Sequence, residues 1–131
     1  MLFIASSTNL IVHDVVNNMD IFDRDVSDGI HCLAFGTIPD IDEPLVMAGG
    51  NCSITGFDLA AEDRFWTVTG DNCGAIEFTD WDQDGQKEML VGTEDFSIRV
   101  FKGEEILQEM KETSPVLHLA QVSDHVFAFA L

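Results

Sequence analysis

An all-β fold is predicted by three features of the 131-residue sequence. Apolar and polar residues alternate over short runs, clusters of Gly, Asn, Asp and Ser separate those runs, and the whole pattern recurs every 44 residues. Alternation suits strands with one face toward a core, and small polar clusters supply the turns. No window carries a convincing helical stripe. ILQEMKETS from Ile106 comes nearest, and its place in the repeat makes it an outer strand.

Three stretches superimpose without gaps at the offset of 44: MLFIASSTNLIVHDV from Met1, LVMAGGNCSITGFDL from Leu45 and MLVGTEDFSIRVFKG from Met89. Leu10, Ile54 and Ile98 coincide, as do His13, Phe57 and Phe101. Each copy is an apolar run, a small polar cluster and a second run, which predicts β-hairpins near 1–15, 45–59 and 89–103. Between them, IFDRDVSDGIHCLAFG from Ile21 aligns with FWTVTGDNCGAIEFTD from Phe65, each an outer strand, a turn and an apolar inner strand. Four strands per unit of this length mark a β-propeller blade. The expectation is a propeller fragment of about three four-stranded antiparallel blades, because at least four blades are needed to close a ring. MLFIA starts at the strand before a hairpin, and VFAFAL reads as the inner strand of a further blade. Residues 1–131 are thus expected to form a partial propeller that begins and ends mid-blade, with open strand edges that invite self-association.

Composition narrows the partners. A hydrophobic content of 46% suits a folded chain, and 6 Lys plus Arg against 24 Asp plus Glu give a net charge of −18. That surface repels phosphate backbones and anionic lipid heads, so cations and basic protein patches are favoured over nucleic acid or membrane. No apolar run approaches the roughly 20 residues of a membrane-spanning helix. MLFIASSTNL lacks the basic start of a signal peptide. Cys32, Cys52 and Cys73 are odd in number and form no CxxC, which reads as buried, reduced thiols in a cytoplasmic protein.

DWDQDGQKE, residues 80 to 88, crowds Asp80, Asp82, Asp84 and Glu88 around Gly85. Two like charges about 4 Å apart repel by roughly 1 kcal/mol in water and about 4 kcal/mol at a protein-like dielectric. A cation is therefore expected there, or a loop splayed into solvent. In an EF-hand, position 12 is a bidentate Glu and helices flank the loop; here position 12 is Val91 and the flanks AIEFT and EMLVG are strand-like. What fits is a β-hairpin calcium loop with Asp80, Asp82 and Asp84 at positions 1, 3 and 5, the Gln86 carbonyl at 7 and Glu88 at 9. An all-oxygen donor set suits Ca²⁺ and excludes zinc. The alternative is a solvated acidic turn. At the offset of 44 the other copies lack DxDxDG, so a single structural staple is expected.

The remaining candidates carry no chemistry. His13, His31, His118 and His125 share no ligand spacing with Cys or Glu, GGNCS is a hairpin turn with no GxGxxG, and no GxSxG elbow occurs. Trp66 is expected as a strand anchor packed between blades, Trp81 to point away from the ion, and Phe78, Phe96 and Phe101 to sit on strands in the core.

Over essentially its whole length, through MAGGNCSITGFD, RFWTVTGDN, DWDQDGQKEMLVGTEDFSIRVFK and TNLIVHDVVNNMDIF, the chain resembles the Bardet–Biedl syndrome 2 family of BBSome subunits. The resemblance places it in the middle of that family's amino-terminal β-propeller. The acidic loop is similar to the FG-GAP repeat of integrin-type propellers, whose first, third, fifth and ninth positions bind calcium; these carry over to Asp80, Asp82, Asp84 and Glu88. Glu88 stands where Asp is usual, and the Phe-Gly and Gly-Ala-Pro words are absent. The resemblance implies a non-enzymatic scaffold in a coat-like adaptor that moves membrane proteins into and out of cilia, recruited by an Arf-like GTPase. Its partners would be other BBSome subunits, and its place the cytoplasm, the cilium, the basal body and a complex associated with the ciliary membrane. An extracellular, integrin-like calcium-binding adhesion propeller is the alternative, helped by one sequon, Asn51-Cys52-Ser53.

Overall fold

The alternating runs build thirteen strands. The computed structural model describes residues 1–124 and 126–131; His125, one of the four histidines without ligand spacing, lies outside them. The strands are β1 (Leu2–Ser6), β2 (Asn9–Asp14), β3 (Met19–Asp25), β4 (Cys32–Ile38), β5 (Ile41–Gly49), β6 (Ser53–Phe57), β7 (Asp63–Val68), β8 (Cys73–Thr79), β9 (Glu88–Thr93), β10 (Ser97–Lys102), β11 (Glu105–Lys111), β12 (His118–Ser123) and β13 (Val126–Ala130). No helix occurs among the described residues. The Ile106 segment is a strand, β11. Every neighbouring pair is antiparallel and consecutive, giving sheets β1–β3, β4–β7, β8–β11 and β12–β13. VFAFA differs from expectation: HLAQVS supplies the inner strand of the last sheet, and VFAFA is the second strand, folded back on it.

The central strands are buried along both faces, β9 and β6 almost throughout, which one sheet cannot achieve alone. The sheets therefore stack, and a separate apolar cluster fills each junction. Leu10, Val12 and Phe22 of the first sheet meet Val46, Ala48 and Phe57 of the second. Leu45, Met47 and Ile54 meet Ile76, Met89, Val91 and Phe101 of the third. Leu90, Ile98 and Val100 meet Leu119 of the fourth.

These junctions expose a one-residue displacement within the gapless repeat. In the second sheet Ile54 pairs with Gly49, leaving four residues in the turn; in the third, Ile98 pairs with Gly92, leaving five. The extra turn residue slides β9 by one position, and a slip of one exchanges the two faces of a strand. Leu45 faces the following sheet, whereas Met89, its partner at 44, faces the preceding one. The same longer turn holds Phe96, which lies outside β10 at positive φ and is 43% exposed, not a core strand residue. Phe78 and Phe101 are buried as expected. Trp66 sits on the outer strand β7 with 53% of its surface exposed, so it is not packed between blades.

Hydrogen bonds repeat with the sheets. The residue entering one inner strand donates to the hairpin turn of the previous sheet: Ile30 N to Ser7 O at 2.7 Å, and Cys73 N to Gly50 O at 3.0 Å. Within a sheet, Asn51 N donates to Asp28 O and Glu94 N to Asn72 O. Arg99, 8% exposed, adds a side-chain link. Its guanidinium donates to Thr69 O after β7 (2.8 Å), Thr93 Oγ1 (2.9 Å) and Asp95 Oδ2 (2.6 Å). Burial raises the Asp95 carboxyl, but hydrogen bonds from Arg99, Thr93 and Ser97 outweigh it and hold the group well below the usual carboxylate range.

Two outcomes follow for stability. A Cβ on Gly36 would lie 2.7 Å from the Phe78 ring of the next sheet, so Gly36→Ala should lose about 1–3 kcal/mol in a urea titration. Adding Phe78→Leu should return part of that loss, since the two positions are in contact. Asp95→Asn should cost about 1–3 kcal/mol at pH 7. Because the folded-state pKa of Asp95 is depressed, its contribution is complete above the unfolded value of about 4 and fades as pH falls. The gap between wild type and variant should narrow on acidification, read from urea midpoints across pH.

Candidate metal centre

The loop from Asp80 to Lys87 joins β8 to β9, closed at its base by the pair Thr79 and Glu88. The equivalent connections in the second and fourth sheets are tight, with Ile38 paired to Ile41 and Ser123 to Val126. Among the described residues, the one group of side chains that could hold a metal ion lies at this connection. Gln83 (φ 61°) and Gly85 (φ 89°) take left-handed backbone that curls the loop over itself.

Its carboxylates first satisfy the curled backbone. Asp80 accepts from the N–H groups of Asp84 (3.0 Å) and Gly85 (2.9 Å), and Asp84 accepts from Gln86 N at 2.8 Å. Glu88 Oε2 accepts from Trp81 N at 2.6 Å. The four side chains still converge: one ligand oxygen from each of Asp80, Asp82, Asp84 and Glu88 lies within 4.8 Å of the others. Gln86, expected to offer its carbonyl, enters this geometry through its N–H. Trp81 turns away, its ring 5.8 Å from that of Phe127.

Sequence reasoning missed Lys102. Its ammonium donates to Asp82 Oδ2 at 2.7 Å and to Asp84, and lies 3.8 Å from Glu88 Oε1. No spacing within the loop signals it: Phe101 pairs with Met89, so the next residue of β10 comes to stand opposite Glu88 only once the hairpin has formed. The hydrogen bond from Lys102 is the main cause that lowers the Asp84 carboxyl, and the two aspartates raise the lysine in turn. Glu88 moves the other way: burial raises it first, and the charges of Asp82 and Asp84 add to that. Its side chain is 0% exposed, and Oε1 has no hydrogen-bond partner. A carboxylate oxygen buried without a donor is costly, and a divalent cation is the kind of group that would satisfy it.

The other expected features divide. His13 Nδ1 contacts Asp20 at 2.7 Å on the surface, and no metal-holding group among the described residues includes it. The three cysteines are free, but only Cys73 is buried; Cys32 is half-buried and Cys52 is exposed at the tip of a positive-φ turn. The expectation that all three are buried is corrected by the turn geometry, which sends Cys52 outward.

Residues 1–36 match the family model described as ciliary BBSome complex subunit 2, N-terminal, and residues 75–131 match the middle region of the same subunit. Over 130 residues, 99% of this chain, it is 48% identical to BBSome complex member BBS2 of Homo sapiens, 45% to that of Danio rerio and 39% to bbs-2 of Caenorhabditis elegans. The chain spans 18% of the length of these relatives. Among solved structures it is similar to BBS1N, crystallised in complex with ARL6DN, with a TM-score of 0.75 and 13% identity over 97% of this chain and 38% of that one. It is also similar to the computationally designed Ika4 protein, with a TM-score of 0.70 and 14% identity over 98% of this chain and 84% of that one. At such identities the two structures speak for the propeller fold alone. The unbroken likeness to BBS2 across three animals, with both matching family regions in their proper order, means that the chain belongs to the family of ciliary BBSome complex subunit 2.

Proposed function

We propose that the chain is a non-enzymatic scaffold, the propeller segment of a BBSome subunit that presents sheet edges and faces to sister subunits in a ciliary adaptor complex carrying membrane proteins. The observation that carries this reading is the 48% identity over 99% of the chain to a named BBSome member. The physical character agrees: polar side chains are spent on turns, sheet junctions and ion pairs. The partner surface is acidic, at −18 overall, and suits basic patches on neighbouring proteins. In the isolated chain, exposed Leu2 and Ile4 on β1 and Val126 and Phe129 on β13 offer apolar faces for self-association.

Within that scaffold the acidic loop is a structural calcium site. Asp80, Asp82, Asp84 and Glu88 would supply carboxylate oxygens and Gln86 its carbonyl. Calcium would neutralise the crowded charge and pin the β8–β9 connection. The unpartnered, buried Glu88 Oε1 supports this reading, because Lys102 reaches Asp82 and Asp84 but stops 3.8 Å short of it. On calcium binding Lys102 would leave these aspartates for solvent.

Both levels have direct tests. Millimolar Ca²⁺ against EDTA should raise the unfolding free energy by about 2.7 kcal/mol at one hundred times the dissociation constant. Asp82→Ala should abolish that increment; an unchanged midpoint in wild type would leave a solvated acidic turn. For the scaffold, affinity purification of the full-length protein from ciliated cells should bring down other BBSome subunits. Recovery of none would overturn the adaptor role.

A further inference from the structure

We propose that Cys32 and Cys73 are an oxidative modification site, a thiol pair that a hydroperoxide converts to a disulfide joining the inner strands of two successive sheets. Cys32 opens β4 and Cys73 opens β8, and their sulfurs lie 3.4 Å apart across the junction. Two features set up this approach. The Cys73 N–H donates to Gly50 O, which draws the start of β8 onto the turn after β5. Gly49, paired with Cys32, leaves the space between the sulfurs clear: a Cβ there would stand 2.6 Å from the Cys73 sulfur and 2.7 Å from that of Cys32. A disulfide asks the sulfurs to close from 3.4 Å to a bond of about 2.05 Å.

The pair is asymmetric. Cys73 is 0% exposed, whereas Cys32 is half-buried and can be reached by a small oxidant. The hydrogen bond between them lowers the Cys32 thiol and, together with burial, raises Cys73, so Cys32 is the thiolate that forms first. Its sulfur attacks a peroxide oxygen; the O–O bond breaks, and the departing hydroxide takes a proton and leaves as water. The sulfenic acid on Cys32 is then attacked by the Cys73 sulfur. The S–S bond forms as the S–O bond breaks, and the released hydroxide takes the Cys73 proton. In sum, two thiols lose two electrons and two protons, and one hydrogen peroxide becomes two waters. The product cross-links residues 41 apart in sequence and locks the second sheet to the third.

Trypsin makes the outcome readable. Cleavage after Arg24, Arg64 and Lys87 places Cys32 in Asp25–Arg64 and Cys73 in Phe65–Lys87. Cys52 shares the first peptide, so the measurement uses the 131-residue chain carrying Cys52→Ser. After hydrogen peroxide, denaturation and alkylation, the two peptides should appear joined, two hydrogens lighter than the pair of thiols, and should separate on reduction. The link should form on the order of tenfold faster in buffer than in urea, because the fold holds the sulfurs together. With Cys73→Ser added, dimedone should label Cys32; with Cys32→Ser in its place, Cys73 should stay unlabelled. Equal rates in buffer and urea, faster labelling of Cys73 than of Cys32, or over-oxidation of Cys32 without a link would each overturn the proposal.

Discussion

Everything in this molecule depends on strands that are apolar on both faces. Leu45–Gly49 of β5, all of β9 and nearly all of β6 and β10 are buried on both sides of their sheets, so each of these two sheets has two surfaces that water disfavours. A single four-stranded sheet cannot bury both. Face-to-face stacking can, and it yields the three clusters Leu10–Phe57, Leu45–Phe101 and Leu90–Leu119 at successive junctions. Stability is then carried largely between neighbours, in the manner of other repeat architectures. The hydrogen bonds from Ile30 and Cys73 to the preceding hairpin turns set the spacing at which that stacking occurs.

Charge is handled by a second layer of organisation. With 24 acidic residues against 6 Lys and Arg, five of the six cations are seen in ion pairs, among them Lys111 with Asp95 and Glu109. Arg24 reaches Asp63, Arg64 reaches Glu43 and Asp58, Arg99 reaches Asp95, and Lys102 reaches Asp82 and Asp84. Arg24 and Arg99 also connect one sheet with the next, through Asp63 and through Thr69 O. Exposed pairs of this kind add little energy, while the buried Arg99 group is costly to break because it would leave a charge without partners. The acidic loop follows the same logic with one difference. Lys102 answers three carboxylates incompletely, and the oxygen it fails to satisfy is the most deeply buried of the set.

The cysteine pair and the acidic loop sit on the two connections of β8, one at its start and one at its end. The third sheet is thereby tied at both ends of its inner strand, to the second sheet by Cys73 and Gly50 and to its own β10 by Lys102. Such ties matter for a scaffold, since a surface offered to partners is useful only if its sheets keep their relative positions.

How much was legible in the sequence can be judged residue by residue. Strand content, the hairpins, the unit of 44 residues and the convergence of Asp80, Asp82, Asp84 and Glu88 are local properties, written in alternation, turn residues and short spacing. They were readable because each rests on neighbours along the chain or on a spacing that recurs along it. Phe96, Trp66 and Cys52 were misjudged because hydrophobicity does not reveal which way a turn or an outer strand presents a side chain. The slip of β9, the reach of Lys102 into the acidic loop and the meeting of Cys32 with Cys73 arise only when strands pair and sheets stack. Sequence by itself determined which units form; tertiary structure decided their register and their junctions, because a one-residue change in a turn exchanges the faces that two sheets bring into contact.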